Sequence, residues 1–320
     1  MSSTVNTTVN HDHPIFHSHP FYSLQATSLV PGLSDPLLAV ILPVLAYWFT
    51  SAIFHLLDLS NWAWLDHYRI HDSAEVSSRN RATRSEVFRA VVFQQAIQTA
   101  LGYFWLSDAP EHIDHSAAMR AVARALSYSF GVLFLSPSDE QAYPLLRDAS
   151  PRLAYIIYWY LIPAVQLFVA MVVLDTWQYF LHRAMHINKF LYKHLHSVHH
   201  RLYVPYAFGA LYNHPIEGFL LDSFGAVLSE AIACLSVRQA ALFFALSTCK
   251  TVDDHCGYRL PFDPLQMFSG NTADYHDIHH QIVGIKSNFS QPWFVHWDVI
   301  LGTRMTRRDI EERRSKLKSS

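Results

Sequence analysis

Charge is what this sequence has least of. Only 16% of its 320 residues are Asp, Glu, Lys or Arg, while 51% are hydrophobic. A soluble domain carries about a quarter charged residues, so the deficit argues against an ordinary water-facing surface and points to lipid. The formal charge of −2 offers no basic surface, and no nucleic-acid partner is expected. Cysteine is sparse and odd in number, at Cys234, Cys249 and Cys256 with no C-x-x-C, which speaks against a disulfide framework. Residues 1–35 are polar and lack the apolar core of a signal peptide. No H-E-x-x-H is present, because Arg183 and Ser197 follow His182 and His196; zinc-protease chemistry is thereby excluded. No solenoid-type repeat is visible.

Histidine is what the chain has instead. The stretch Leu174–Arg201 begins as the end of an apolar run and passes directly into a histidine series. His182 and His186 are spaced i, i+4; His196, His199 and His200 are spaced i, i+3, i+4; His276, His279 and His280 repeat that second pattern. On a helix each set shares a face and can present its imidazoles to one point. Eight neutral imidazoles exceed what one ion can use, so a two-metal site is expected. His214, in Asn213-His214-Pro215, and His255, after Asp253-Asp254, raise the total to ten, five for each metal. Asp175 and Gln178 precede His182 on the same helical face, where they would support the ligands from behind. Carboxylates are nearly absent from the clusters, which sets the chain apart from soluble di-iron bundles.

Two uncharged stretches, Leu37–Leu57 and Leu153–Leu174, are each long enough for a hydrocarbon core that needs about 20 residues. Ala90–Ser107 is a weaker span, diluted by Gln94, Gln95 and Gln98. Ala121–Leu135 is short and contains Arg124, as an interfacial helix would. Ser136–Arg152, with three prolines, reads as a loop. Gly218–Thr248 reads as an apolar hairpin that enters and leaves on one side, which keeps all the histidine clusters together. The basic stretch Asn61–Arg89 reads as cytosolic and the acidic stretch Asp108–His115 as luminal. Thr83 and Glu86 form a candidate capping box. The N-terminal histidines at 11, 13, 17 and 19 read as incidental to a disordered tail, and Asn6 opens a glycosylation sequon.

The motifs HRAMH (182–186), HSVHH (196–200), NHP (213–215), DDHCGY (253–258), HDIHH (276–280) and FVHWDVILGT (294–303), with its closing W-D-x-x-x-G-T, resemble the membrane fatty acid hydroxylase superfamily, which includes sterol desaturases and C4-methyl sterol oxidases. The likeness covers roughly 153–303. DTWQYFLHRAMH and the run FHLLDLSNWAWLDHYRIH with SRNRATR (54–84) extend it towards the sphinganine C4-hydroxylases of fungi. Cys256 replaces the usual serine of D-H-S-G-Y. The resemblance implies an all-α, multi-pass protein of the endoplasmic-reticulum membrane, with a cytosolic helical cap around a di-metal site. It also implies two iron ions, O2, and electrons from NAD(P)H through cytochrome b5 and its reductase. The substrate it implies is a lipid, a sphingoid base or ceramide hydroxylated at C4. No H-P-G-G and no G-x-G-x-x-G occurs, so the electrons must come from a separate protein. The partition expected is a polar tail (1–35), spans and loops (36–152), a hydroxylase domain (153–303) and a basic cytosolic tail (304–320) that ends in a K-x-K-x-x-like sequence. A sterol C4-methyl oxidase or C5-desaturase would use the same metal site, and a membrane metal transporter is the alternative outside enzymes.

Overall fold

The computed structural model describes residues 13–23, 28–60, 62–105, 113–134, 142–267 and 269–319. Among these residues regular structure is helical, and β-pairing is limited to isolated bridges such as Arg69 with Tyr258. The longer helices, in chain order, are α1 (Asp35–Leu59), α2 (Arg84–Trp105), α3 (His115–Phe134), α4 (Ala142–Ile156), α5 (Ile162–Ile187), α6 (Gly225–Ala233), α7 (Val237–Asp254), α8 (Ala273–His280) and α9 (Arg307–Ser319). Contacts divide the chain into two compact units. One comprises Met1–Pro31 and Asp108–Phe168; the other comprises Gly32–Ser107 and Val169–Ser320.

In the first unit α3 packs on α4 and on the π-wound turn Ile157–Leu161. Phe16 is completely buried among Met119, Ala123, Ala154 and Trp159, and its carbonyl accepts from Ser116 Oγ at 2.7 Å. Residues 13–23 are therefore packed rather than trailing, because one aromatic ring gains a dry socket. His19 lies against Trp159 and His115; His11 and the Asn6 sequon fall outside the described residues. The expected loop Ser136–Arg152 is helical from Ala142 onward. Pro144 falls in the first turn of α4, where no intrahelical N–H bond is required; residues 136–141 are outside the described set.

Two helical stretches, Asp35–Leu59 and Ala149–Ile187, are long and apolar enough to cross a membrane, as expected. In α1 the side chains of Leu45, Phe49, Ile53 and Leu56 are exposed. Their spacing of four, four and three residues makes one outward apolar stripe, and contiguous exposed patches of this kind mark a lipid or partner surface. The opposite face of α1, with Tyr47, Ser51 and Phe54, is buried in the second unit. There α1 runs alongside α7 in the same direction: Asp35 pairs with Arg238 at 2.6 Å, Thr50 Oγ1 meets Cys249 Sγ at 3.3 Å, and Phe54 stacks on Tyr258. Trp48 Nε1 donates to Gln95 Oε1 at 2.8 Å, which ties in α2. Thr83 caps α2 by accepting the Glu86 amide at 3.2 Å, but the Glu86 carboxylate goes to Arg201 rather than back to the cap.

The apolar segment after Gly218 winds as a π turn over Phe219–Phe224 and continues as α6. The chain reverses at Cys234, whose φ is 51°, and α7 begins with a Ser236–Gln239 capping box. The main neighbour of α7 is α1, not α6, so the expected hairpin is an open one. Its inner end delivers the residues that matter chemically.

Candidate metal centre

The site is built by the inner ends of α5, α7 and α8 and by the turns between them. On α5 the spacing 175, 178, 182 keeps Asp175, Gln178 and His182 on one buried face. His186 follows one turn later. Asn188 then stops the helix, its Oδ1 accepting the amides of Phe190 and Leu191 at 2.9 and 3.2 Å. A π turn over Tyr192–His196 and a 3-10 turn over His199–Arg201 follow. These tighter and wider windings fan His196, His199 and His200 across two directions instead of one face. Thr272 caps α8 through the Tyr275 amide, and every histidine of that helix is buried. His255 sits at the C-cap of α7.

Nine imidazoles converge in two groups. His182, His186, His196, His200 and His279 each bring a nitrogen within 4.8 Å of the others; His199, His255, His276 and His280 do the same. His214 stands apart from both. Its Nδ1 accepts the Ile216 amide at 3.3 Å and caps the turn Pro215–Gly218, because Pro215 starts a helix immediately after it. The even five-and-five division expected from ten histidines is thus five and four. Asp175 reaches past the ligands: its oxygens accept the amides of Trp293 and Phe294 at 3.1 and 2.5 Å. Gln178 Nε2 donates to the Leu221 carbonyl at 3.2 Å.

Six of the nine rings have their outward nitrogen held by an acceptor, while Nδ1 of His200 and His276 is buried without a partner among the described residues. Nδ1 of His182, His199, His255, His279 and His280 faces the carbonyls of Phe289, Tyr212, Thr251, Ser287 and Leu202 at 2.7–3.2 Å. His196 Nδ1 faces Glu217 Oε1 at 2.6 Å. An acceptor on Nδ1 puts the proton there and leaves Nε2 with its lone pair. Those Nε2 atoms face one another: 182 to 196 at 3.0 Å, 196 to 200 at 3.0 Å, 255 to 276 at 3.0 Å, and 276 to 280 at 3.1 Å. His279 Nε2 is buried with no partner. Lone pairs crowded this way repel unless a cation lies between them. The spacing matches the edge of a right-angled ligand set with metal–nitrogen bonds of about 2.1 Å, which is about 3.0 Å. The donor set therefore fits a pair of metal ions held by imidazole.

Electrostatics agree with neutral rings. Burial lowers His199 to about 3 and His255 to about 4, and pushes His196, His200, His276, His279 and His280 well below 6.5. Metal ligation needs this neutral form.

The residues that the sequence pattern did not single out are the ones bracing the rings. Glu217, buried, is the carboxylate that touches a histidine of the centre. It stands three residues after His214, and that capping-box spacing was its only signal. Asp298, in the closing W-D-x-x-x-G-T motif, gathers the amides of Phe289 and Ser290, Tyr275 OH and Thr303 Oγ1 at 2.6–3.0 Å. It thereby fixes the Phe289 carbonyl that orients His182. Lys250, fully buried, pairs with Asp254 and donates to the Asn271 carbonyl at 3.1 Å; Asn271 returns to Asp254 at 2.8 Å. A cavity lies against His196, His199, His255 and His276 and is lined on its other sides by Gln178, Asn213, Glu217, Asp222, Thr251 and Gln291. Its wall sets these polar side chains among apolar ones, Ala210, Leu221 and Pro292.

The fatty acid hydroxylase family profile matches residues 167–303, the stretch that carries all nine converging histidines. The chain is 45% identical over 281 residues to the sphingolipid C4-hydroxylase of Saccharomyces cerevisiae, covering 86% of this chain and 74% of that one. It is 45% identical over 269 residues to the sphingolipid C4-hydroxylase of Schizosaccharomyces pombe, covering 83% and 87%. It is 43% identical over 274 residues to sphinganine C4-monooxygenase 1 of Arabidopsis thaliana, covering 86% and 89%. No solved structure matches. With its histidine motifs, their convergence and these likenesses together, the chain belongs to the fatty acid hydroxylase family and is an enzyme of the hydroxylase type, not a metal transporter.

Proposed function

We propose that the protein is a sphinganine C4-monooxygenase that places one atom of O2 on C4 of a sphingoid chain. The observation that carries this reading is the cavity against the second histidine group, where Asn213, Glu217, Asp222 and Gln291 place polar groups within a partly apolar wall. C4 is bonded to the hydroxyl-bearing carbon and is two bonds from the nitrogen-bearing one. A carbon so close to polar groups is best held where the wall offers polar partners beside the apolar ones that take the chain. The specificity in the names of the relatives, at 43–45% identity, supports the same substrate class.

His182, His186, His196, His200 and His279 would hold one iron, and His199, His255, His276 and His280 the other. Iron, supplied with electrons from NAD(P)H through cytochrome b5 and its reductase, provides the activation of O2 that an unactivated C–H bond demands. The chain's own contribution is placement. Backbone carbonyls hold the Nδ1 protons of five of the rings and so fix their orientation. Glu217 raises the basicity of His196. Gln178 holds the Leu221 carbonyl and so sets the cavity wall, while Asp175 anchors the 293–294 backbone above the site. Burial of the rings keeps bulk water from competing. We assign the centre to the cytosolic face of the endoplasmic-reticulum membrane, where the basic stretch around Arg79–Arg89 belongs, with α9 facing the electron donor.

Labelled oxygen gas decides the reaction. Label is expected in a new C4 hydroxyl of sphinganine or dihydroceramide, read by mass spectrometry. A hydroxyl drawn from water, or a double bond without added oxygen, would show the reaction to be a different one.

A further inference from the structure

Two carboxyl oxygens in the cavity wall have nothing to bond. Glu217 Oε2 and Asp222 Oδ2 are buried without a hydrogen-bond partner among the described residues, and both residues line the same cavity. Glu217 is only 1% exposed and spends its other oxygen on His196. The nearby buried cation, Lys250, is committed to Asp254 and Asn271. Asp222 rides on the π turn Phe219–Phe224, a winding that leaves carbonyls free for side chains and often occurs at functional sites. That turn is held from outside: Trp177 Nε1 donates to the Leu220 carbonyl at 2.8 Å, Gln178 Nε2 to that of Leu221 at 3.2 Å, and Gln98 Nε2 to that of Gly218 at 3.1 Å. The wall is thus fixed and leaves one oxygen of each carboxyl beside the histidines without a partner among the described residues.

Buried acceptors of this kind are left for a ligand that brings donors and positive charge. Resting on the sphingoid reading, we propose that Asp222 and Glu217 receive the cationic amino group of a free long-chain base and so determine selection of the free base over its N-acylated form. An ammonium offers three N–H donors and a charge; an N-acyl amide offers one N–H, no charge, and an added chain pressed against the carboxyls. The amine nitrogen lies three bonds from C4, so seating it in this wall brings C4 to the histidine side of the cavity. Asp222 touches none of the converging imidazoles and is the residue to vary.

The test uses the full-length, iron-loaded enzyme with its electron donors, and compares sphinganine with N-acetylsphinganine. Asp222→Asn is expected to raise KM for sphinganine about tenfold while kcat and iron content stay within about twofold, and to leave KM for the N-acetyl substrate unchanged. Equal shifts for both substrates, or no shift in either, would overturn the proposal. A second measurement needs no variant: a saturated long-chain primary amine should compete with sphinganine on the wild-type enzyme at about tenfold lower concentration than the matching alcohol. Equal potency overturns the proposal even if the variant fails to fold. Because amine-over-alcohol preference is a binding property, it separates this proposal from the reaction assignment, which fails only if wild-type enzyme makes no 4-hydroxy product.

Discussion

Glu217 makes one hydrogen bond to a ring nitrogen, and that bond sets how strongly His196 can donate. Glu217→Gln keeps the shape but removes the charge, so metal affinity should fall about 10–100-fold, read as iron retained after dialysis against a graded chelator. Unchanged retention would mean that the contact is only structural. The buried rings also predict a pH response. Each binds its proton less readily folded than unfolded, so between 6.5 and the depressed values of about 3 and about 4 for His199 and His255 the unfolded chain holds more protons. Stability of the metal-free protein should therefore be flat above pH 7, roughly, and fall as pH drops through that window. Thermal unfolding in detergent across pH 8 to 5 checks this; a midpoint that rises on acidification would refute it. At this scale the sequence was readable where spacing carries meaning. His182, His186, His196, His199, His200, His276, His279 and His280 announce themselves by period, and His255 by its place after the apolar segment. His214 has the same chemistry but is turned away by Pro215, a local conformational effect that composition does not reveal. Glu217 acts through a partner 21 residues away, His196, which its local spacing does not name; Asp298 lies in a quoted motif, but its hold on the 289–290 backbone shows only in the fold.

The helices hold the centre through contacts that tolerate little change. A Cβ at Gly284 would meet the Ile278 carbonyl oxygen at 2.0 Å, a backbone atom that cannot step aside without moving α8. Gly284→Ala should displace His279 and His280 and depress iron binding to both groups at once, with stability lowered by about 1–3 kcal/mol. Loss of one iron alone would contradict that coupling. Inside α7, Lys250→Met leaves Asp254 buried without its cation, and should cost about 3–5 kcal/mol. Pairing it with Asp254→Leu should recover a good part of that loss, as seen by unfolding midpoint. The long apolar helices were legible because twenty uncharged residues in a row have few alternatives. The helix over Ala142–Ile156 was not: Pro144 sits in its first turn, where a helix tolerates it, but Pro151 lies in its interior, and two prolines in one short stretch read as loop. The open form of the 218–254 segment was also hidden, since α7 chooses α1 through packing rather than through its own sequence.

For the whole molecule, the outward stripe of α1 and the basic stretch after it predict cytosolic histidines and a cytosolic C-terminus. A tag placed after α9 should be cut by protease added to sealed microsomes, and protection of that tag would refute the topology. The sequence conveyed a link to membrane through composition, a histidine-built centre through spacing, and a hydroxylase only through the resemblance of its motifs to a known family. It could not convey the interleaving of Asp108–Phe168 with Met1–Pro31, which depends on contacts across a hundred residues of chain. One feature of the centre reaches beyond chemistry. Its first ring is at 182 and its last at 280, so on the ribosome no complete cage exists until the final helix of the cluster has emerged. Metal can then be fully caged only after residue 280 has emerged, and until it is, lone pairs packed against lone pairs weaken the fold. A ligand that binds only the folded form shifts that balance by mass action. Iron supply would thus be read by the cell as abundance: chains made during iron scarcity are the ones that quality control removes first.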